Sequence, residues 1–204
     1  MSKAHPHRAL LTGTSSEFIG LRPLPVALRG SNQTIFIKGP KDSGLTVVAQ
    51  RIAGGKSTAR LGSKALSNVI DAYVESGSTA WPDRATKPRA LILDGPQHLL
   101  TRKAATSALL ALLRFRRESN KVTIVIQQND DESLTPLIKP LKCGEYTIIG
   151  IRFPKGVRGR RRFARRYCKQ GGYPLAASKG LAAMDDWTYS KVIYAIENWN
   201  TKSA

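Results

Sequence analysis

The chain has 204 residues, 41% of them hydrophobic, enough for one domain or for a core with a small appended unit. Its 33 Lys and Arg face 14 Asp and Glu, and the resulting charge of +19 points to a polyanionic partner, nucleic acid before an anionic membrane. Two cysteines and three scattered histidines argue against a disulfide framework or a metal site, and no apolar run approaches a membrane span, so a cytoplasmic protein without a membrane partner is expected.

Residues 1–30 carry Pro, His and Arg with weak periodicity and read as a partly ordered arm, flexible over 1–17. The β-branched and aromatic run of Gln33–Gly39 reads as a buried strand stopped by Gly-Pro, and Leu45–Ala53 has apolar residues at helical spacing. Between them "GPKDSGLT" (Gly39–Thr46) has the frame of a phosphate-binding loop, G-x-x-x-x-G-K-[ST], with Leu45 at the lysine position. Strand, glycine loop and helix form the context such a loop needs.

Ser63–Val74 places Leu66, Val69, Ile70 and Tyr73 on one helical face, and Ser76–Pro88 reads as loop. Arg89–Gly95 is a second buried strand containing Asp94. A strong helix over Lys103–Glu118 precedes strands at Lys121–Gln128 and Tyr146–Phe153. Four strands alternating with helices imply a parallel α/β sheet. Beyond Phe153 helical segments are expected near Val157–Lys169, Leu175–Met184 and Asp186–Asn198.

Asp94 supplies the second half of a nucleotide argument. In a phosphate-loop ATPase the equivalent strand carries a carboxylate that helps hold Mg²⁺, with a loop hydroxyl, here Thr46, on the same ion. Leu45 offers the β/γ-phosphates neither charge nor donor, and Gly95 stands where a second acid commonly orients the attacking water. Backbone N–H groups at the helix N-terminus still favour phosphate, and Lys38 and Lys41 are the nearby cations. The candidate nucleotide site is Gly39, Lys41, Gly44, Leu45, Thr46 and Asp94, with no catalytic residue. No resident cofactor is expected, beyond weak ATP or ADP with Mg²⁺.

Segment order then resembles the AAA+ core of the bacterial replication initiator DnaA and its shorter Hda-type relatives, from about residue 18 to 200. "NQTIFIKGPKDSGLTVVAQRIA" sits at the family's strand, Walker A loop and helix, and "LILDGPQHLL" at its Walker B segment. "KVTIVIQQNDD" falls at the sensor 1 strand, and "ARRYCKQGGYPLAASKGLAAM" with "WTYSKVIYAIENW" is similar to the lid helices. The resemblance implies a three-layer α/β AAA+ P-loop core with a parallel sheet over 1–153, and a small three-helix, basic C-terminal lid over 154–204. Four ATP-handling positions depart from the family: Leu45, Gly95, Pro140 at the arginine finger and Ser190 at sensor 2, with Lys139, Lys142 and Lys191 adjacent. The resemblance therefore implies a pseudo-ATPase.

The charge concentrates in Arg152–Lys169, with nine basic residues and no acid between Glu145 and Asp185. On a helix, Arg158, Arg161, Arg162, Arg165, Arg166 and Lys169 repeat at three and four residues, while Phe163 and Tyr167 mark a packed stripe. Such a stripe suits the DNA phosphate backbone without base reading. Trp81 with Arg84, Lys87 and Arg89 is a lesser candidate for stacking on a single strand. Trp187 and Trp199 read as lid anchors, His98 as structural, and "RFRRE" as a complement to its helix dipole.

The expected function is a DnaA-like pseudo-ATPase, nucleoid-associated through its lid helix, that modulates replication or another DNA transaction with an AAA+ partner or a second copy of itself. The alternatives are a working ATPase helper in replication or transposition, and a basic protein-interaction adaptor.

Overall fold

The computed structural model describes residues 10–14, 34–41, 43–54, 57–77, 80–128, 134–142, 145–153, 156–185 and 187–199. Six parallel strands form one sheet: β1 (Leu10–Thr14), β2 (Thr34–Gly39), β3 (Thr58–Leu61), β4 (Ala90–Asp94), β5 (Val122–Gln128) and β6 (Tyr146–Arg152). Their order is β1-β6-β2-β5-β4-β3. Two strands exceed the four expected. β3 is a four-residue edge strand, and Leu10–Thr14, placed within the arm, pairs with Ile148–Arg152 of β6.

Period-two alternation explains the layers. Ile35, Ile37, Ile92, Ile124 and Ile126 face α1 (Leu45–Ala53), which buries Leu45, Val48, Ala49 and Ile52 among them. Phe36, Leu91, Leu93 and Val125 face the other way, onto α2 (Ser63–Glu75) and, after the single turn α3 (Asp83–Thr86), α4 (Lys103–Glu118). Helix, sheet, helix: the three-layer α/β arrangement is present. β4 is buried at every residue, as a central strand covered on both faces must be. Among the described residues of Ser76–Pro88, expected as loop, the one helical turn is α3.

Another single turn, α5 (Thr135–Ile138), precedes β6. The basic α6 (Gly156–Gly171) and α7 (Tyr189–Glu197) follow the sheet and share a core of their own. Trp187 packs edge-on to Phe163 and Phe153 at centroid distances of 5.8 and 6.3 Å. Both tryptophans belong to this cluster, although they flank α7 and do not lie on it. The middle segment, expected as a helix over Leu175–Met184, is two 3-10 turns (Leu175–Ser178 and Leu181–Ala183). Gly180, at φ 76°, separates them with a left-handed residue that a continuous helix does not accept.

The Tyr167 hydroxyl donates to Glu197 Oε1 at 2.6 Å and ties α6 to α7. Burial, then the Glu197 carboxylate, raises its pKa above the ordinary phenol range. Burial likewise pushes the Cys168 thiol up. Cys143 lies outside the described residues.

Candidate nucleotide and nucleic-acid sites

The parallel sheet brings Gly39, Gln128 and Asp94 to one carboxyl edge, the edge where open α/β sheets place ligands. Gly39 ends β2 against β6, where a Cβ would meet the Ile151 carbonyl at 2.5 Å. Gly44, at φ 83°, turns the chain into α1. The described loop glycines and the helix start stand where a phosphate cradle would form. Lys41 and Lys38 are exposed, Thr46 is half-buried in the first turn of α1, and Asp42 lies outside the described residues.

Leu45 does not enter that cradle. It is 4% exposed and packs with Ile35, Val48 and Ile126 between α1 and the sheet. Burying it stabilises the fold by about 1.5–3 kcal/mol, so a lysine here must give up that contact or run its stem along the same surface.

Asp94 is 6% exposed and shares its sheet face with Ile92, toward α1. In register Arg60 of β3 lies beside Ile92, so its guanidinium projects on the same face. Arg60 Nε donates to Asp94 Oδ2 at 3.1 Å, and Nη2 closes an ion pair on the same oxygen. The carboxylate that would hold a divalent ion therefore already has a cation. Arg60 escaped the sequence reading because a four-residue edge strand gives too short a pattern to place. The available signal was an arginine one strand away from a buried strand-end aspartate.

Gly95 adopts φ 71° and ψ 49°, and a Cβ there would meet Ser63 Oγ at 3.0 Å. An acid at this position is strained by backbone and neighbour alike. Gly95→Asp should lower the unfolding free energy by about 1–2 kcal/mol, read as a shifted urea midpoint. An unchanged midpoint would show that the turn relaxes freely. His98, expected as structural, bridges this turn to α2. Its Nδ1 lies 2.7 Å from the Gly95 carbonyl and must donate, leaving Nε2 to accept from Ser67 Oγ at 3.0 Å in the neutral ring.

The other aligned positions supply no clear replacement. Pro140 is an exposed turn residue between exposed Lys139 and Lys142, and Ser190 falls on α7. Glu145 pairs with Arg117 at 2.6 Å and accepts from the Lys142 N–H at 2.9 Å. Burial opposes its charge, but these two groups together hold its carboxyl below the usual range. Trp81 is committed elsewhere: its ring stacks on Tyr73 at 3.6 Å and packs on the core, and Lys87 pairs with Asp83. That leaves the lesser stacking candidate with one face covered. Asp130 and Asp131 lie outside the described residues.

α6 collects the six expected cations on one exposed face. Arg158, Arg161, Arg162, Arg165, Arg166 and Lys169, with Leu175, line a shallow concavity of about 600 Å³. Phe163, Ala164 and Cys168 anchor the opposite face in the core shared with α7. Arg160, outside the stripe, is structural: it lies 5.6 Å over the Trp187 ring and Nη1 donates to the Met184 carbonyl. Among the described residues none of Arg158, Arg161, Arg162, Arg165 or Lys169 has an ion-pair partner. The cations rise about one helical turn, roughly 5.4 Å, at a time.

No group of three or more His, Cys, Asp or Glu that could hold a metal occurs among the described residues, and no described helix is long and apolar enough to cross a membrane. No family model matches the sequence, and no curated protein matches it either. Solved structures do resemble it. Domain III of the Thermotoga maritima replication initiation protein DnaA aligns with a TM-score of 0.66 at 16% identity, over 87% of this chain and 80% of that one. Replication initiator DnaA bound to AMPPCP and single-stranded DNA gives 0.65 at 14% identity, over 92% of this chain but only 60% of its own length. A point variant of Thermotoga maritima RuvB gives 0.59 at 15% identity, over 86% and 59%.

Proposed function

The chain carries a DnaA-like AAA+ fold, and on that premise we propose that it is a DNA-associated AAA+ module that does not turn over ATP. The observation that carries DNA association is the α6 face, with cations at successive turns of a helix whose own sequence contains no acid. Counterion release from the phosphate backbone then supplies the affinity, without base reading. Residues 154–204 act as the basic lid and 1–153 as the core. The protein modulates replication or another DNA transaction in the cytoplasm, at the nucleoid, by pairing with an active AAA+ partner or with a second copy of itself.

The absence of turnover rests on three features described above: Leu45 lies in the core, Arg60 occupies Asp94, and Gly95 cannot readily become an acid. Together they favour this reading over the working ATPase. The test is calorimetric titration of ATP·Mg²⁺ into the native chain, Leu45→Lys, and Leu45→Lys with Arg60→Ala. No heat is expected for the native chain and at most weak, Mg²⁺-independent binding for the single variant. Mg²⁺-dependent binding should appear only in the double variant, where Asp94 is released. Micromolar ATP·Mg²⁺ binding by the native chain, followed by phosphate release, would overturn the proposal.

A further inference from the structure

Beside the cation stripe runs a feature that phosphate contact leaves unused. α6 and the two 3-10 turns packed on it enclose a groove of about 450 Å³, with Val157, Leu175 and Ala183 among its apolar residues and Arg161, Arg165 and Lys179 among its polar ones. Val157 and Leu175 are 49% and 43% exposed, two of only five large hydrophobic side chains exposed among the described residues. Their exposure has a hydration cost that a ligand with an apolar part would relieve.

The occupant's chemistry follows from the lining. A sugar-phosphate backbone gains from the guanidinium groups but nothing from aliphatic side chains. A nucleobase gains little as well, because no aromatic ring lines the groove and stacking is what holds unpaired bases. An acidic peptide with an aliphatic side chain meets both demands, with carboxylates on the arginines, which they can engage through two parallel hydrogen bonds, and the side chain against Val157 and Leu175. We infer that this groove docks an acidic, aliphatic-anchored peptide segment of a partner protein. Arg161 and Arg165 line both this groove and the cation stripe, so peptide and DNA compete for the lid. The docking stands without the DNA reading; only the competition rests on it.

The test uses a short labelled peptide alternating Glu and Leu, a polyglutamate of equal charge, and labelled duplex DNA, each followed by fluorescence anisotropy. The proteins are the native chain and a Val157→Ser, Ala183→Ser variant, which keeps every cation and changes no residue that lines the cation concavity. The native chain should bind the Glu-Leu peptide about tenfold more tightly than polyglutamate, and the variant should lose that advantage while holding DNA unchanged. Unlabelled Glu-Leu peptide should displace DNA from the native chain. Equal affinity for the two peptides, undiminished Glu-Leu binding in the variant, or a parallel loss of DNA would each overturn the docking site. Peptide discrimination without any DNA binding would uphold the groove and sink the DNA reading alone.

Discussion

Changing Arg161, Arg162, Arg165 and Arg166 together to glutamate should reduce DNA binding below detection at ionic strengths where the native chain binds. Six cations on one helix face correspond to a salt slope of about −5 on duplex DNA, or roughly a thousandfold loss of affinity between 50 and 200 mM salt. The variant keeps two of the six and sets four carboxylates among them, so attraction becomes repulsion within a Debye length. All four positions are exposed and the packed face of α6 is untouched, so the helical circular dichroism should be retained. Anisotropy on duplex and single-stranded oligonucleotides across a salt series reads both the slope and its loss. Native binding insensitive to salt, or a variant that binds as well as the native chain, would show that α6 is a solvated face.

The second large effect concerns folding. Arg116 is 0% exposed, and each of its three side-chain nitrogens donates to an uncharged acceptor. Nε donates to Thr123 Oγ1 at 2.9 Å, Nη1 to the Ala85 carbonyl at 2.7 Å, and Nη2 to the Pro88 and Val122 carbonyls at 3.1 and 2.8 Å. One guanidinium thus joins α4, the start of β5 and the segment leading into β4. Burial lowers its pKa to about 10, which leaves it charged at neutral pH. Arg116→Met keeps much of the stem but leaves these acceptors without their donor. A loss of about 3–5 kcal/mol is expected, with the melting temperature falling by roughly 10 °C. Arg116→Lys should fall between, since a point charge cannot reproduce the planar fork. A methionine variant within 1 kcal/mol of native in urea unfolding would refute the role.

Much of the core was legible because its elements obey strong periodicity. α1 and α4 begin and end where the apolar spacing of Leu45–Ala53 and Lys103–Glu118 puts them. Arg116 was legible too, in hindsight: Leu109, Leu112 and Leu113 are buried on one stripe of α4, and Arg116 is its next position at helical spacing. Reading "RFRRE" as a dipole complement passed over this, because an arginine on an apolar stripe breaks the composition rule while keeping the period. Arg60 lay deeper, since its pairing with Asp94 exists only once β3 is laid beside β4. β1 was hidden for the same reason: its hydrogen-bond partners all lie in β6. Between α6 and α7, Pro174 and Gly180 cut a helix-like composition into two tight turns.

The strand order also sets a timetable for synthesis. Leu10 pairs with Ile148, and β2 is flanked by β5 and β6, so neither early strand finds a neighbour until most of the chain has left the ribosome. At about 5–20 residues per second that wait is on the order of ten seconds, long against the microseconds in which a helix such as α1 forms. During the interval "TIFIKG" is an apolar strand with two open edges. That exposure ends in two steps, as β5 emerges to cover one side and β6 then fills the gap between β1 and β2.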